Sequence, residues 1–255
     1  MTGAEALLAG RAEPTADFRA SHPPATQCAS CHVEHFKEWS GSVHARSLTS
    51  ENFLKTFPQY LDFLGKQARE DPQAPMACFS CHAPLLRNAD PQVIRQVTTF
   101  VLAKETKKLD GFEVGCVSCH ADGGRVFSGP IGDPKDNPFH RSKFSRSYRD
   151  SSFCAACHTW TAPAIPCSDV YSDWKKSRAA KQGKTCQSCH MAEQDGTAAA
   201  GGPPRKIHGH TFPGGRSAAM LQQAVVLRLE AAFRKDRLEV AATVRNLVPH
   251  RVPDG

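Results

Sequence analysis

Methionine is scarce in this chain of 255 residues: four in all, so Met76, Met191 and Met220 are the only thioethers after Met1. Apolar residues make up 40% and aromatic residues 8%, slightly lean for a globular protein. No segment approaches the ~18–20 uninterrupted apolar residues of a membrane-spanning helix, and mean hydropathy is −0.43. Met1 to Gly10 has neither the basic start nor the apolar stretch of an export signal. Charged residues, at 22% and of both signs, argue against wholesale disorder. The length allows one large domain or two small ones. What fills the interior of so lean a chain is answered by its cysteines.

Ten of the 11 cysteines fall in one repeated pattern: Cys28-Ala-Ser-Cys31-His32, Cys78-Phe-Ser-Cys81-His82, Cys116-Val-Ser-Cys119-His120, Cys154-Ala-Ala-Cys157-His158 and Cys186-Gln-Ser-Cys189-His190. The first cysteines are 50, 38, 38 and 32 residues apart. A CxxC pair can be a redox dithiol, half of a zinc site or, with His directly after it, a c-type haem attachment. Histidine is 12 of 255 residues, so five hits from five would arise by chance roughly three times in ten million. Zinc needs four ligands gathered from two places and no His at a fixed offset. Haem attachment needs that offset, because the two thioethers set the imidazole beneath the iron. The sequence therefore reads as a pentahaem chain, with Cys28, Cys31, Cys78, Cys81, Cys116, Cys119, Cys154, Cys157, Cys186 and Cys189 attaching five haem c groups. His32, His82, His120, His158 and His190 are the proximal ligands.

Five macrocycles supply much of the buried apolar surface, so few regular elements are needed. Such haem is attached outside the cytoplasm, which sets the expected location as periplasmic or extracellular. The formal charge of +7 falls to about +2 once each ferric haem contributes roughly −1, so the basic composition does not point to nucleic acid.

Along the chain, 1–27 reads as an extended lead-in and Val33–Ser47 as helical. Glu51–Glu70 has helical periodicity broken at Pro58. Pro91–Leu109 is the clearest helix, with Val93, Ile94, Val97, Val101 and Leu102 on one stripe. Gly123–Pro138 reads as a loop, Ser168–Ala180 as a helix and Ala198–Pro204 as a flexible connector. Leu227, Leu229 and Ala231, then Leu238, Val240, Ala242 and Val244, alternate with charged residues around Arg234-Lys-Asp-Arg237, which favours a β-hairpin over a helix across Ala218–Phe233. A lone hairpin is marginal in water, so it must pack on the haem domain or lack partner strands.

Seven histidines remain for the sixth coordination positions: His22, His35, His44, His140, His208, His210 and His250. Full bis-histidine ligation needs five. Met191 directly follows a proximal His and is badly placed to reach the far face of the same haem. Cys167 reads as a buried small hydrophobe, with a reactive thiol or an unusual haem ligand as alternatives. Trp39 and Trp174 read as packing residues against porphyrin faces rather than electron relays.

Several segments carry a resemblance. Glu38-Trp39-Ser-Gly-Ser-Val-His44-Ala is similar to the W-x-x-S-x-H-A segment of multihaem cytochromes related to cytochrome c-554 and hydroxylamine oxidoreductase. Asn137-Pro-Phe-His140 before the fourth motif, and Asp173-Trp174-Lys-Lys-Ser177 before the fifth, are similar to that group. So are His210-Thr-Phe-Pro-Gly-Gly215 and Asn246-Leu-Val-Pro-His250-Arg-Val-Pro-Asp-Gly255, except that Pro249 and Asp254 stand where the group has Gly and Thr. The resemblance implies that His44, His140, His210 and His250 are distal ligands. His22 and His208 then compete for the fifth place, and His35 reads as a solvated helix residue. An alternative leaves one haem without a distal protein ligand.

The expected fold class is mainly α with long loops: a compact multihaem cytochrome c fold organised around stacked haems, with a small C-terminal β-hairpin. The expected division is an extended N-terminal segment (1–27), a pentahaem domain (28–215) and a hairpin-like segment (216–255), which the resemblance implies is truncated. Bis-histidine irons are coordinatively saturated, so the leading expectation is electron transfer between redox partner proteins, without nucleic acid or a membrane span. The alternatives are a haem enzyme acting on a small nitrogen or sulfur oxyanion at a five-coordinate haem, and a homo-oligomeric filament with haems stacked end to end. The familiar pentahaem nitrite reductases carry a CxxCK motif, which this sequence lacks.

Overall fold

The structure, a computed structural model, describes residues 14–122, 126–131, 139–159 and 169–252. Cys167 and parts of the Gly123–Pro138 loop lie outside the described residues. The chain divides into two units: 1–148 with 193–212, and 149–192 with 213–255.

In the first unit, α1 (Pro14–Ser21) and α2 (Thr26–Ala29) occupy part of the segment expected to be extended, a correction to that reading. The elements α3 (Val33–Ser40), a 3-10 turn at His44–Arg46 and α4 (Glu51–Leu64) follow. The Ser50 side chain caps α4 by accepting from Phe53 N, satisfying one of the first-turn donors. Pro58 lies inside α4 instead of ending it. Phe53, Phe57 and Leu61 recur every four residues and are all buried, and that packing outweighs the lost backbone hydrogen bond. The elements α5 (Met76–His82) and α6 (Pro91–Leu102) come next. Asp90 caps α6 through Gln92 N, with Pro91 at its first position. The stripe Val93, Ile94, Val97 and Val101 is buried as expected. This helix stops at Leu102, short of Leu109, because Lys104 turns left-handed (φ 55°) before a 3-10 turn at Thr106–Leu109.

These pieces enclose one apolar core, in which Leu48, Phe57, Leu61, Phe79, Leu86, Val97 and Phe112 are almost wholly buried. The one-turn helix α7 (Cys116–His120) precedes a short parallel pair, β1 (Val126–Gly129) with β2 (Arg141–Phe144). β3 (Glu193–Thr197) pairs antiparallel with β4 (Pro204–His208), so the expected connector Ala198–Pro204 is the loop of a hairpin.

The second unit holds α8 (Ser152–His158), α9 (Val170–Lys176), α10 (Arg178–Lys181), α11 (Cys186–His190) and α12 (Ala218–Ala224). It ends in β5 (Val225–Arg234) and β6 (Arg237–Asn246), antiparallel from Val225↔Asn246 to Arg234↔Arg237. The hairpin reading therefore holds, with two turns of helix before it. Its register sorts the side chains by face. Leu227↔Val244, Leu229↔Ala242, Ala231↔Val240 and Phe233↔Leu238 share one side, and Arg228↔Thr243, Glu230↔Ala241 and Ala232↔Glu239 the other. The apolar side is exposed along its length, Phe233 to 82%. Phe233→Ser should therefore change unfolding free energy by less than about 0.5 kcal/mol in denaturant titrations, against several for a buried phenylalanine.

Candidate functional site

Four of the five CxxCH motifs form a helix of one or two turns ending at the histidine, α5, α7, α8 and α11, whereas in the first α2 ends at Ala29 and His32 stands at the N-cap of α3. In α7 and α11 the central serine supports the turn. Gly115 N donates to Ser118 Oγ at 3.1 Å and Thr185 N to Ser188 Oγ at 2.8 Å, and in α11 Ser188 N returns a bond to Thr185 Oγ1, a reciprocal cap at the helix start.

The same two motifs share a second anchor. Trp39 Nε1 donates to Val114 O at 2.9 Å and Trp174 Nε1 to Lys184 O at 3.0 Å. In both cases the acceptor lies two residues before the motif's first cysteine. The indoles thus fix the strand of backbone entering the motif, a role that sequence inspection missed. Buried Ser151 adds to this by accepting from Cys186 N at 3.0 Å, and Ser47 Oγ accepts from Val114 N at 3.0 Å.

Four of the five motif imidazoles are oriented by backbone carbonyls. Nδ1–H donates to Ala198 O from His32 (2.6 Å), Ser47 O from His82 (2.8 Å), Ser128 O from His120 (2.8 Å) and Pro213 O from His190 (2.6 Å). That bond selects the tautomer whose lone pair is on Nε2 and aims it away from the acceptor, which is how metal-binding histidines are set. Burial pushes His82, His120 and His35 towards the neutral form, and pushes His210 down to about 4, with the neighbouring His35 and His120 adding to it. Neutral imidazole is the form that binds metal. Tyr148 steadies His120 further, its ring parallel at 5.2 Å and its hydroxyl donating to Cys119 O at 2.6 Å.

The distal candidates can be tested by spacing. Two imidazoles on opposite sides of one metal, each bonded at about 2 Å, place their ring centres about 6 Å apart. His32 and His140 are 6.1 Å apart with planes 27° from parallel. His120 and His210 are 6.3 Å apart, and His190 and His250 6.2 Å, both at 33°. Two of these distal rings also donate Nδ1–H to carbonyls, His210 to His208 O and His250 to Arg251 O, each at 2.9 Å. His44 stands on the 3-10 turn with its ring edge-on to Phe212 at 4.4 Å. The donor set therefore fits iron held in a haem. Among the described residues no three His, Cys, Asp or Glu side chains converge on a free-standing metal site, the arrangement that zinc would need.

The two contenders for the fifth place have different surroundings. His208 is on β4 opposite Glu193, its Nε2 3.8 Å from that carboxylate. His22 instead donates Nδ1–H to Phe18 O at 3.0 Å and stacks on the Phe18 ring at 4.2 Å. It lines a cavity of about 640 Å³ together with Asp17, Phe18, Pro84, Leu85 and Val93. His35 departs from expectation: it is not a solvated helix residue but half-buried, its ring edge-on to His210 at 4.6 Å.

Cysteines of different motifs also meet. The Cys28 thiol hydrogen-bonds to that of Cys116, and Cys154 to Cys186. The first and third motifs are therefore neighbours, as are the fourth and fifth.

The repeated motif and these facing imidazoles are features in common with multihaem c-type cytochromes. Residues 27–121 match the family described as cytochrome c554 and c-prime. The fold is similar to that of a penta-heme cytochrome c552 from Thermochromatium tepidum, with a TM-score of 0.58 and 22% identity over 92% of this chain and 68% of that one. No curated protein sequence matches the chain. The mainly helical fold with small sheets is thus that of multihaem cytochromes, and haem c is its covalent cofactor. No helix among the described residues is long and apolar enough to cross a membrane.

Proposed function

We propose that the protein is an extracytoplasmic electron carrier with five haem c groups, most of them bis-histidine-ligated, passing electrons between redox partners. The observation that carries this reading is the three imidazole pairs at 6.1, 6.3 and 6.2 Å. Haem supplies a one-electron couple at its iron. The chain's part is to attach it through ten cysteines and to close both axial positions, so that oxidation state changes with little rearrangement. The carbonyl bonds on Nδ1 raise imidazole basicity and hold ring orientation. Abutting cysteines bring the first and third haems, and the fourth and fifth, into neighbouring pairs. His44 and His22 serve as the remaining distal ligands. His22 takes precedence over His208, whose Nε2 faces a carboxylate.

One observation favours a second reading, a haem enzyme acting on a small nitrogen or sulfur oxyanion. Among the described residues, the ring beside His82 is that of Phe53, at 4.6 Å, and no imidazole faces His82 at the spacing of the other three pairs. The iron at the second motif would then be open on one side, next to the cavity that His22 lines. Electron paramagnetic resonance of the oxidised holoprotein decides between the readings. Low-spin signals alone are expected for the carrier. A high-spin ferric signal that shifts on adding nitrite or hydroxylamine would establish the enzyme reading instead.

A further inference from the structure

The net charge of the chain is unevenly divided. The unit formed by 149–192 and 213–255 carries 13 Lys and Arg against 7 Asp and Glu, a net of +6 out of +7. Five of those cations lie within ten residues, Lys175, Lys176, Arg178, Lys181 and Lys184, with no acidic residue among them. All five are exposed. Among the described residues none of the five is in an ion pair. The nearest acid along the chain, Asp173, is instead held by Arg251 through 2.7 and 3.0 Å bonds.

The run is also rigidly tied to a haem motif. Trp174 Nε1 bonds Lys184 O, which joins the start of the run to its end, and Thr185 caps α11 immediately afterwards. Of the described motif cysteines, Cys189 in α11 is exposed, whereas the others are half-buried.

We propose that the Lys175–Lys184 surface docks an acidic redox protein, and that electrons enter or leave at the haem on Cys186 and Cys189. This inference rests on the carrier reading and adds to it the docking face and the chemistry of the partner. Such encounters bury little area, so a compact field of one sign beside the exchanging group sets orientation and rate. The five charges remain after two ferric haems are counted, which leaves this unit at about +4.

The test uses the holoprotein with an acidic flavodoxin as probe. Binding is followed by calorimetry and electron exchange by stopped flow, over a range of ionic strength. Lys181→Glu with Lys184→Glu is expected to lower both affinity and rate at least about tenfold at low salt and to flatten the salt dependence. The control pair Lys55→Glu with Lys66→Glu, on exposed positions of the other unit, is expected to stay within about twofold. Equal loss in both pairs, or loss in neither, overturns the proposal. So does lysine-dependent binding to phosphatidylglycerol vesicles with unchanged flavodoxin rates, which would assign the surface to an anionic membrane. Spin-state spectra of the same wild-type sample report on the carrier reading separately, since that reading fails there and not in the difference between variants.

Discussion

His250→Ala is expected to turn one iron high-spin while every haem stays attached. His250 faces His190 at 6.2 Å, and its Nδ1–H is fixed on Arg251 O, whose own side chain is clamped to Asp173. On the proposed ligation, truncation removes one axial imidazole from a position where, among the described residues, no other histidine ring is in contact with His190. The thioethers of Cys186 and Cys189 still hold the macrocycle, so mass and haem stoichiometry should not change. The expected signature is one new high-spin ferric component alongside unchanged low-spin signals, with the potential of that haem shifted within the ≈0.8 V range that axial ligands command. Exogenous imidazole should restore the low-spin state. A spectrum identical to wild type would remove His250 from the ligand set.

Phe79→Ala should have the largest effect on folding. Phe79 is the second residue of the motif Cys78-Phe-Ser-Cys81-His82 and is wholly buried, stacked on Phe57 at 5.1 Å. Replacing a buried phenylalanine by alanine costs about 3–5 kcal/mol, from lost transfer energy and the cavity left behind. That is a large share of the 5–15 kcal/mol typical of a folded domain. Thermal melting of the holoprotein followed by far-UV circular dichroism is the measurement, and a midpoint within a degree or two of wild type would contradict this account. Because the ring belongs to an attachment motif, the Soret band should broaden at lower temperature as well.

The attachment motifs were fully legible in the sequence because thioether chemistry fixes the cysteines and histidine within five residues. So was the hairpin, whose period of two survives in the Leu227 to Val244 pattern. Long-range partners were not legible. The carbonyl that orients His32 belongs to Ala198, 166 residues later, inside a segment whose Ala, Gly and Pro content suggested only a connector. The anchors of Trp39 and Trp174 were invisible for the same reason, since a carbonyl acceptor leaves no mark on side-chain identity. Pro14–Ser21 was misread because prolines and alanines suggested extended chain, although proline is well tolerated in the first turn of a helix. His35 looked solvated from its place after a proximal histidine, and only the approach of His210 from a distant hairpin covers it.

The abutting thiols of Cys28 with Cys116, and Cys154 with Cys186, set an order of events for maturation. A thiolate beside a second cysteine in an oxidising compartment is quickly oxidised, and the product would staple two motifs together with neither cysteine left for its vinyl group. A polypeptide that collapsed to this arrangement while still colourless would be a dead end. On the proposed attachment, haem has to reach these motifs while the chain is open, before Cys28 meets Cys116 and Cys154 meets Cys186.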